Sequence, residues 1–408
     1  MRVAVLGAMD TKGEELLYLS NRLRVVGVIP VVIDISTRKW NDCPEVDVTN
    51  AEVAAAAGGD IEQIQNSPDR EMALDAMGRG AAKIVSDRFE KKEIFGAIAL
   101  GGGQGTSVAS RVMAILPVGA PKFLVSTIAT VEHLQKPFQI MQDTVVVNSL
   151  VDINGLNSVL CTVLDEAAAA FAGMVKNYVQ KPQNIMAPAK VRVGVSMWGV
   201  TTPCVNRIKN ILEAQDIEVL TFHAVGRGGR MMEAMIEKGE IQGVADMTLA
   251  EITHPLLGGA NEDCPGRLEA AGKTGIPQVV SLGSLDMINF VPGHIPEKYM
   301  DRKFHMHSPV IQSMRSNKSE NVIFAKVIAE KLNMAKGPTQ LVIPTKGLSA
   351  NDREGGSLYD PDVDAVLFET IIHELNNDIV VTQLDYHIND PEFADYVSTA
   401  LLKMMIKH

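Results

Sequence analysis

Four glycines in five positions, Gly101, Gly102, Gly103 and Gly105, with Gln104 among them and Thr106 and Ser107 behind, carry the clearest chemistry in the chain. Glycine lets backbone come close to an anion. A turn that opens a helix leaves its first N–H groups unpaired at the positive end of the helix dipole. The hydroxyls of Thr106 and Ser107 add donors, so a phosphate is the natural guest. No lysine follows the glycines as a Walker A loop requires, and Val108 stands where a dinucleotide fingerprint has its third glycine. The plain alternative is a tight connection in an α/β domain, but a turn alone rarely needs four glycines.

Other reactive side chains fall into two groups. Asp10, Thr11 and Lys12 follow the first apolar run, Asp34 ends the second, and Thr127 follows Phe123-Leu-Val125. An acid in the position of Asp34 can accept from ribose hydroxyls. In the later half, His305-Met-His307 puts two imidazoles on one face of an extended segment, a usable metal-ligand spacing. With Glu251, His254, Asp286 or His387 added, a divalent site or an acid–base pair becomes available. Gly226-Arg-Gly-Gly-Arg230 is a second glycine loop, with two arginines to hold an anion.

These residues need elements to position them. Ala97-Ile-Ala-Leu100 is a continuous apolar run, as in a strand buried on both faces. Val108, Val112, Ile115 and Leu116 then recur at helical spacing, giving strand, glycine turn, helix. Arg2–Gly7, Val28–Asp34 and Pro121–Val125 read as further strands, with helices over Glu14–Leu23 and 68–92 between them. Ile140–Val147 and Val151–Gly155 close the first region, before a helix over Leu156–Val175. Lys181–Pro188 reads as a linker, since Pro and Asn interrupt any periodicity.

The alternation then restarts, with strands at Val191–Ser196, Glu218–Phe222, Gly243–Asp246, Pro277–Ser281, Gln340–Ile343 and Asp378–Thr382. The expectation is two Rossmann-like doubly wound α/β domains, 1–180 and 190–408, with a cleft between them. Ligands of open parallel sheets lie beyond the carboxyl ends of strands. Asp10, Thr11, Lys12, Asp34 and the Gly101 loop all sit at such ends.

The 408 residues are 46% hydrophobic and 21% charged, an ordinary globular balance. The net charge of −11 disfavours a general nucleic-acid surface. No apolar run reaches the length of a membrane span, and the first residues lead straight into a strand. Cys43, Cys161, Cys204 and Cys264 form no CxxC pair, so reduced thiols and a cytoplasmic setting are expected. A homo-oligomer is the base-rate expectation.

Several stretches together resemble one family, that of the nucleotide-binding N-terminal region of a plant tobamovirus-resistance protein and its bacterial homologues. They are Asp10-Thr-Lys-Gly-Glu14, Leu100-Gly-Gly-Gly-Gln-Gly-Thr106, Leu116-Pro-Val-Gly-Ala-Pro-Lys122 with Val125-Ser-Thr127, Gly275-Ile-Pro-Gln-Val-Val280, His305-Met-His307 and His387-Ile-Asn-Asp-Pro391. The resemblance spans nearly the whole chain. It implies two Rossmann-like domains with an ATP-type nucleotide in the first, and no known reaction. The nucleotide role falls on Asp10, Thr11, Lys12, the Gly101–Ser107 loop and Thr127.

The leading expectation is therefore an ATP-binding protein. Its phosphates sit on Gly101–Ser107, with Lys12 beside them and Asp10 holding the accompanying Mg²⁺. One alternative is an enzyme acting on a small phosphorylated or carboxylated metabolite between the domains, with His305, His307 and His387 as acid–base groups. Another is a regulatory or scaffold module that binds ATP without turnover.

Overall fold

The computed structural model describes residues 1–40, 43–131, 143–180 and 191–407. The chain divides into two compact units, Met1–Ile185 and Met186–His408. Ile140 and the Lys181–Pro188 stretch lie outside the described residues.

The first unit is a parallel sheet of β1 (Arg2–Gly7), β2 (Ile29–Asp34), β3 (Ala97–Gly101), β4 (Lys122–Ser126) and β5 (Val145–Asn148), in the order β2-β1-β3-β4-β5. Side chains alternate across a strand, and the sequence uses both sides. Ala4, Leu6, Val31, Ile33, Ala97, Ala99 and Leu124 enter one apolar core. Val3, Val5, Val32, Ile98, Leu100, Phe123 and Val125 enter the other. The first face is covered by α2 (Asn50–Ala56), α3 (Ile61–Asn66), α4 (Arg70–Glu90) and α5 (Gly103–Ile115). The opposite face is covered by α1 (Met9–Val25) and the helix Ser158–Gln180. By length and apolarity that last helix could cross a membrane, which the single-run reading missed. Here Leu160, Leu164, Ala168 and Phe171 are buried in the protein core instead.

The start of α1 differs from the local reading. α1 begins at Met9, not Glu14, and bends where Lys12 leaves helical angles at φ −134°, ψ 22°. Its N-cap residue, Ala8, offers no side-chain acceptor, so no local signal marks the start. The acceptors come from across the sheet: Asp34 Oδ1 takes the Met9 N–H at 3.1 Å and Ser36 Oγ takes the Asp10 N–H at 3.0 Å. α4 lies against α2 so closely that a Cβ added at Gly80 would stand 1.9 Å from the Val53 carbonyl oxygen. Gly80→Ala should therefore force the two helices apart, at a cost of about 1–3 kcal/mol in urea unfolding. A loss below about 0.5 kcal/mol would contradict this packing.

The second unit repeats the plan with six parallel strands: β6 (Arg192–Met197), β7 (Glu218–His223), β8 (Gly243–Thr248), β9 (Gln278–Gly283), β13 (Thr339–Pro344) and β14 (Val380–Leu384). Their order is β14-β13-β9-β8-β6-β7, so the first three strands are arranged as in the first unit. Between β9 and β13 an antiparallel sheet is inserted, formed by β10 (Met287–Phe290), β11 (Phe304–Ser308) and β12 (Ile311–Arg315) in the order β10-β12-β11. The extended segment expected at His305–His307 is one strand of this sheet. Both units are Rossmann-like α/β folds, each a parallel sheet between helices.

Candidate functional site

In an open α/β sheet the crevice opens where the strand order reverses, and for the order 2-1-3-4-5 that point is between β1 and β3. A cavity of about 260 Å³ lies at this place in the first unit. Its lining comes from the start of α1 after β1 (Asp10, Thr11, Lys12), the chain after β2 (Thr37, Arg38) and the turn from β3 into α5 (Gly101–Gly105), with Arg70 from α4. Ile35, Leu74, Leu100 and Val108 give it an apolar side.

The glycines divide by role. A Cβ on Gly101 would come within 3.0 Å of Gly105 Cα, and one on Gly105 within 3.5 Å of the Leu100 carbonyl. These two let the helix start lie close to the end of β3. A Cβ on Gly103 would meet nothing within 4 Å. That residue is exposed, so its lack of a side chain keeps the mouth of the cavity open. Gly102 is the N-cap of α5, and neither a capping side chain nor an acidic residue occupies the first turn. The N–H of Thr106 bonds the Gly102 carbonyl at 2.8 Å. The N–H groups of Gly103, Gln104 and Gly105 have no acceptor among the described residues.

The charges at the cavity are also unspent. Lys12 Nζ donates to the Ile153 carbonyl. Arg70 Nη2 donates to Thr37 Oγ1 at 3.2 Å and to Gln104 Oε1 at 3.3 Å, both neutral acceptors. Arg38 is exposed and, like Arg70, has no carboxylate partner among the described residues. Elsewhere arginines find acids: Arg22 with Asp165, Arg111 with Asp75, Arg207 with Asp395, Arg302 with Glu320. Thr37, Arg38 and Arg70 were not among the residues expected from sequence. They lie in irregular chain and at a helix start, where a charge reads as solvated.

Four expected contributors do not face the cavity. Asp34 is 1% exposed, and its carboxylate accepts from Met9 N, from Ser36 N at 2.9 Å, from Ser36 Oγ and from Trp40 Nε1 at 2.7 Å. Burial pushes its pKa up against the pull of those donors. It caps α1, and its oxygens are already filled, which corrects the ribose role. Thr106 is fully buried, with its hydroxyl on Ser126 Oγ at 2.8 Å, so it donates nothing to the cavity. Ser107 and Thr127 stand outside the lining; Thr127 Oγ1 lies 3.5 Å from where a Gly102 Cβ would be.

The second glycine loop is an anion seat already taken by the chain itself. Gly226 precedes a helix, Arg227–Glu237, and the N–H groups of Gly226 and Gly229 both donate to Glu251 Oε1, at 2.5 and 2.9 Å. A Cβ on Gly229 would sit 2.1 Å from Glu251 Oε2, so glycine makes room for this carboxylate. Arg227 and Arg230 pair with Glu262. The external anion expected there has no place.

The histidines do not assemble. His305 and His307 lie on β11 with ring centroids 6.5 Å apart, and His305 Nδ1 meets Ser357 Oγ at 2.9 Å. His387 is buried with both ring nitrogens engaged: Nδ1 accepts from Asn389 N at 3.1 Å, so Nε2 donates to the Ser349 carbonyl at 2.8 Å. Burial holds its pKa below the ordinary histidine value. A ring fixed as one neutral tautomer has no nitrogen left for acid–base work. Among the described residues no group of three His, Cys, Asp or Glu could hold a metal ion.

Asp286, expected beside the histidines, belongs to a buried set around Arg315. Arg315 Nη2 bonds Asp364 Oδ1 at 2.6 Å and lies 3.8 Å from Asp352 Oδ1. Burial first, and then the Asp352 charge, push Asp286 up to about 7 and Asp364 up to about 8, against the pull of Arg315. Both folded-state values lie above the unfolded carboxylate value, so the folded protein keeps protons that the unfolded chain has released. Stability is then full in acid and falls as pH rises towards 8. The buried, depressed histidines oppose this only below their unfolded pKa near 6.5. Between pH 6.5 and 8 the unfolding free energy should therefore fall, by about 1.4 kcal/mol per pH unit for each proton retained. Asp364→Asn should flatten the slope in urea melts; a rise with pH in the native chain would refute the assignment.

A parallel α/β protein with a cavity at the switch point of its first sheet is the class that fold and site define. The chain belongs to the UPF0261 family: residues 1–180 match the N-terminal domain and 190–405 the C-terminal domain of what is described as an uncharacterised protein family. A UPF0261 protein of Clostridium tetani is 41% identical, with 100% of this chain and 99% of that one aligned. One from Mesorhizobium japonicum is 38% identical, with 98% of each chain aligned. The ToMV resistance protein Tm-1 of Solanum lycopersicum is 37% identical over 100% of this chain, which covers 56% of that protein. Among solved structures, the glycosyltransferase SsfS6 of Streptomyces sp. SF2575 aligns at 12% identity with a TM-score of 0.21, too low to carry an argument.

Proposed function

We propose that the first unit binds a phosphate-bearing nucleotide, ATP foremost, in the cavity between the ends of β1 and β3. The observation that carries this reading is the set of three adjacent amides, Gly103, Gln104 and Gly105, without an acceptor among the described residues, at the mouth of a cavity lined by Lys12, Arg38 and Arg70. Unpaired N–H groups at a helix start favour an anion, and cations without carboxylate partners favour it further. The apolar side formed by Ile35, Leu74 and Val108 suits the uncharged part of such a ligand. Asp10 is the one carboxylate of the lining, and it would hold the Mg²⁺ that accompanies a triphosphate. Resemblance to the nucleotide-binding family supports the same reading.

Calorimetric titration of the full chain tests it. Mg-ATP is expected to give saturable heat. Absence of heat with ATP, alongside clear heat with a sugar nucleotide, would overturn the assignment.

A further inference from the structure

We propose that this cavity selects a terminal phosphate monoester over an internal phosphodiester, and that Arg38 and Arg70 are the residues that make the distinction. The inference rests on the nucleotide reading and narrows the ligand to one that ends in a dianionic phosphate.

Charge is the first ground. Lys12, Arg38 and Arg70 face one carboxylate, Asp10, which leaves a surplus of two positive charges in the lining. A terminal phosphate carries close to two negative charges at neutral pH, whereas each phosphate of a diester linkage carries one. The chain as a whole is strongly acidic, at −11, so this local surplus runs against the global balance.

Donor count is the second ground. A terminal phosphate presents three acceptor oxygens, and the glycine turn presents three N–H groups without acceptors among the described residues, those of Gly103, Gln104 and Gly105. A diester phosphate has only two unesterified oxygens to offer.

The third ground is the state of Arg70. It starts α4, where Asp69 caps the helix by accepting the Met72 N–H at 3.0 Å. From that anchored position its guanidinium spans from the β2 loop to the glycine turn, through Thr37 Oγ1 at 3.2 Å and Gln104 Oε1 at 3.3 Å. Both bonds are long and go to neutral oxygens. A phosphate oxygen is the stronger acceptor for a fork of this shape. Arg70 thus reaches the ligand by exchanging Gln104 for phosphate, and Arg38 closes on the same oxygens from the β2 loop.

The experiment uses the full chain and compares ATP with NAD, which shares the adenosine and pyrophosphate but ends in no monoester. Native protein should bind ATP at least 10-fold more tightly than NAD. Arg70→Gln should weaken ATP by about 10- to 100-fold and NAD clearly less. Arg38→Gln should do the same more weakly, and Arg70→Lys should fall between, since it keeps the charge and loses the fork. Arg70 is half-buried and Arg38 exposed, so all three variants should keep the native melting curve. Equal affinity of native protein for ATP and NAD, or unchanged ATP binding in both Gln variants, would overturn this proposal while leaving the anion seat standing. Failure of native protein to bind ATP at all would instead overturn the nucleotide reading beneath it.

Discussion

Gly103→Val is expected to lose ATP binding by at least about 100-fold while melting within a few degrees of the native chain. The space in front of Gly103 is empty of protein, so the new side chain meets no internal obstacle. Its backbone angle is not among the left-handed ones that only glycine tolerates well. The branched side chain would instead stand where the proposed anion would approach the amides of Gly103, Gln104 and Gly105. The comparison with Gly101→Val makes the effect interpretable. There a Cβ would press within 3.0 Å of Gly105 Cα, so folding and binding should fail together. Circular dichroism melts and calorimetry on the same samples separate the two outcomes. Native affinity in Gly103→Val would place the ligand elsewhere.

The largest stability effect is expected in the second unit, at Arg267→Met. Arg267 is fully buried and serves three carboxylates: Asp246 through Nη2 at 2.6 Å, Glu251 through Nε at 2.7 Å and Glu233 through Nη1 at 3.3 Å. Each acid also holds backbone or side-chain donors. Glu251 caps the helix Arg227–Glu237, Glu233 takes the N–H groups of Leu268 and Ala270, and Asp246 takes the Ser196 hydroxyl. Methionine fills similar volume but leaves three acids buried without a counter-charge. Removing one member of such a network costs about 3–5 kcal/mol, so the unfolding midpoint of this unit should drop by about 10 °C. A loss under about 1 kcal/mol would contradict the role given to this buried network. Burial pushes Glu233 above its ordinary value, against the pull of Arg267.

Strand and helix periodicity carried far because each unit is doubly wound. Runs such as Ala97-Ile-Ala-Leu100 feed apolar residues to both faces of the sheet and stand out in any window. The glycine turn was legible for the same reason, since strand, turn and helix are contiguous in sequence. What stayed hidden was carried by partners distant in sequence. Asp34 looks like a ligand-facing acid at a strand end until Met9 and Ser36 are seen to claim it. Gly226–Arg230 looks like an open anion loop until Glu251 fills it. Both have the composition of a binding site because the physics is the same, and only the guest differs. The inserted sheet β10–β12 escaped because its short strands mix His, Met, Ser and Gln, which blurs the period of two. Arg38 and Arg70 join the cavity from opposite ends of the segment between β2 and α4, and no spacing rule links them.

Nucleotide binding in the first unit requires that the amides of Gly103, Gln104 and Gly105 receive an anion. Amide chemical shifts of the isotopically labelled full chain, followed by NMR during titration with ATP, report on those three groups directly. All three should move together and saturate with one affinity, ahead of the amides of Gly226 and Gly229, which Glu251 already occupies. Saturable ATP binding with these three resonances unmoved would contradict it.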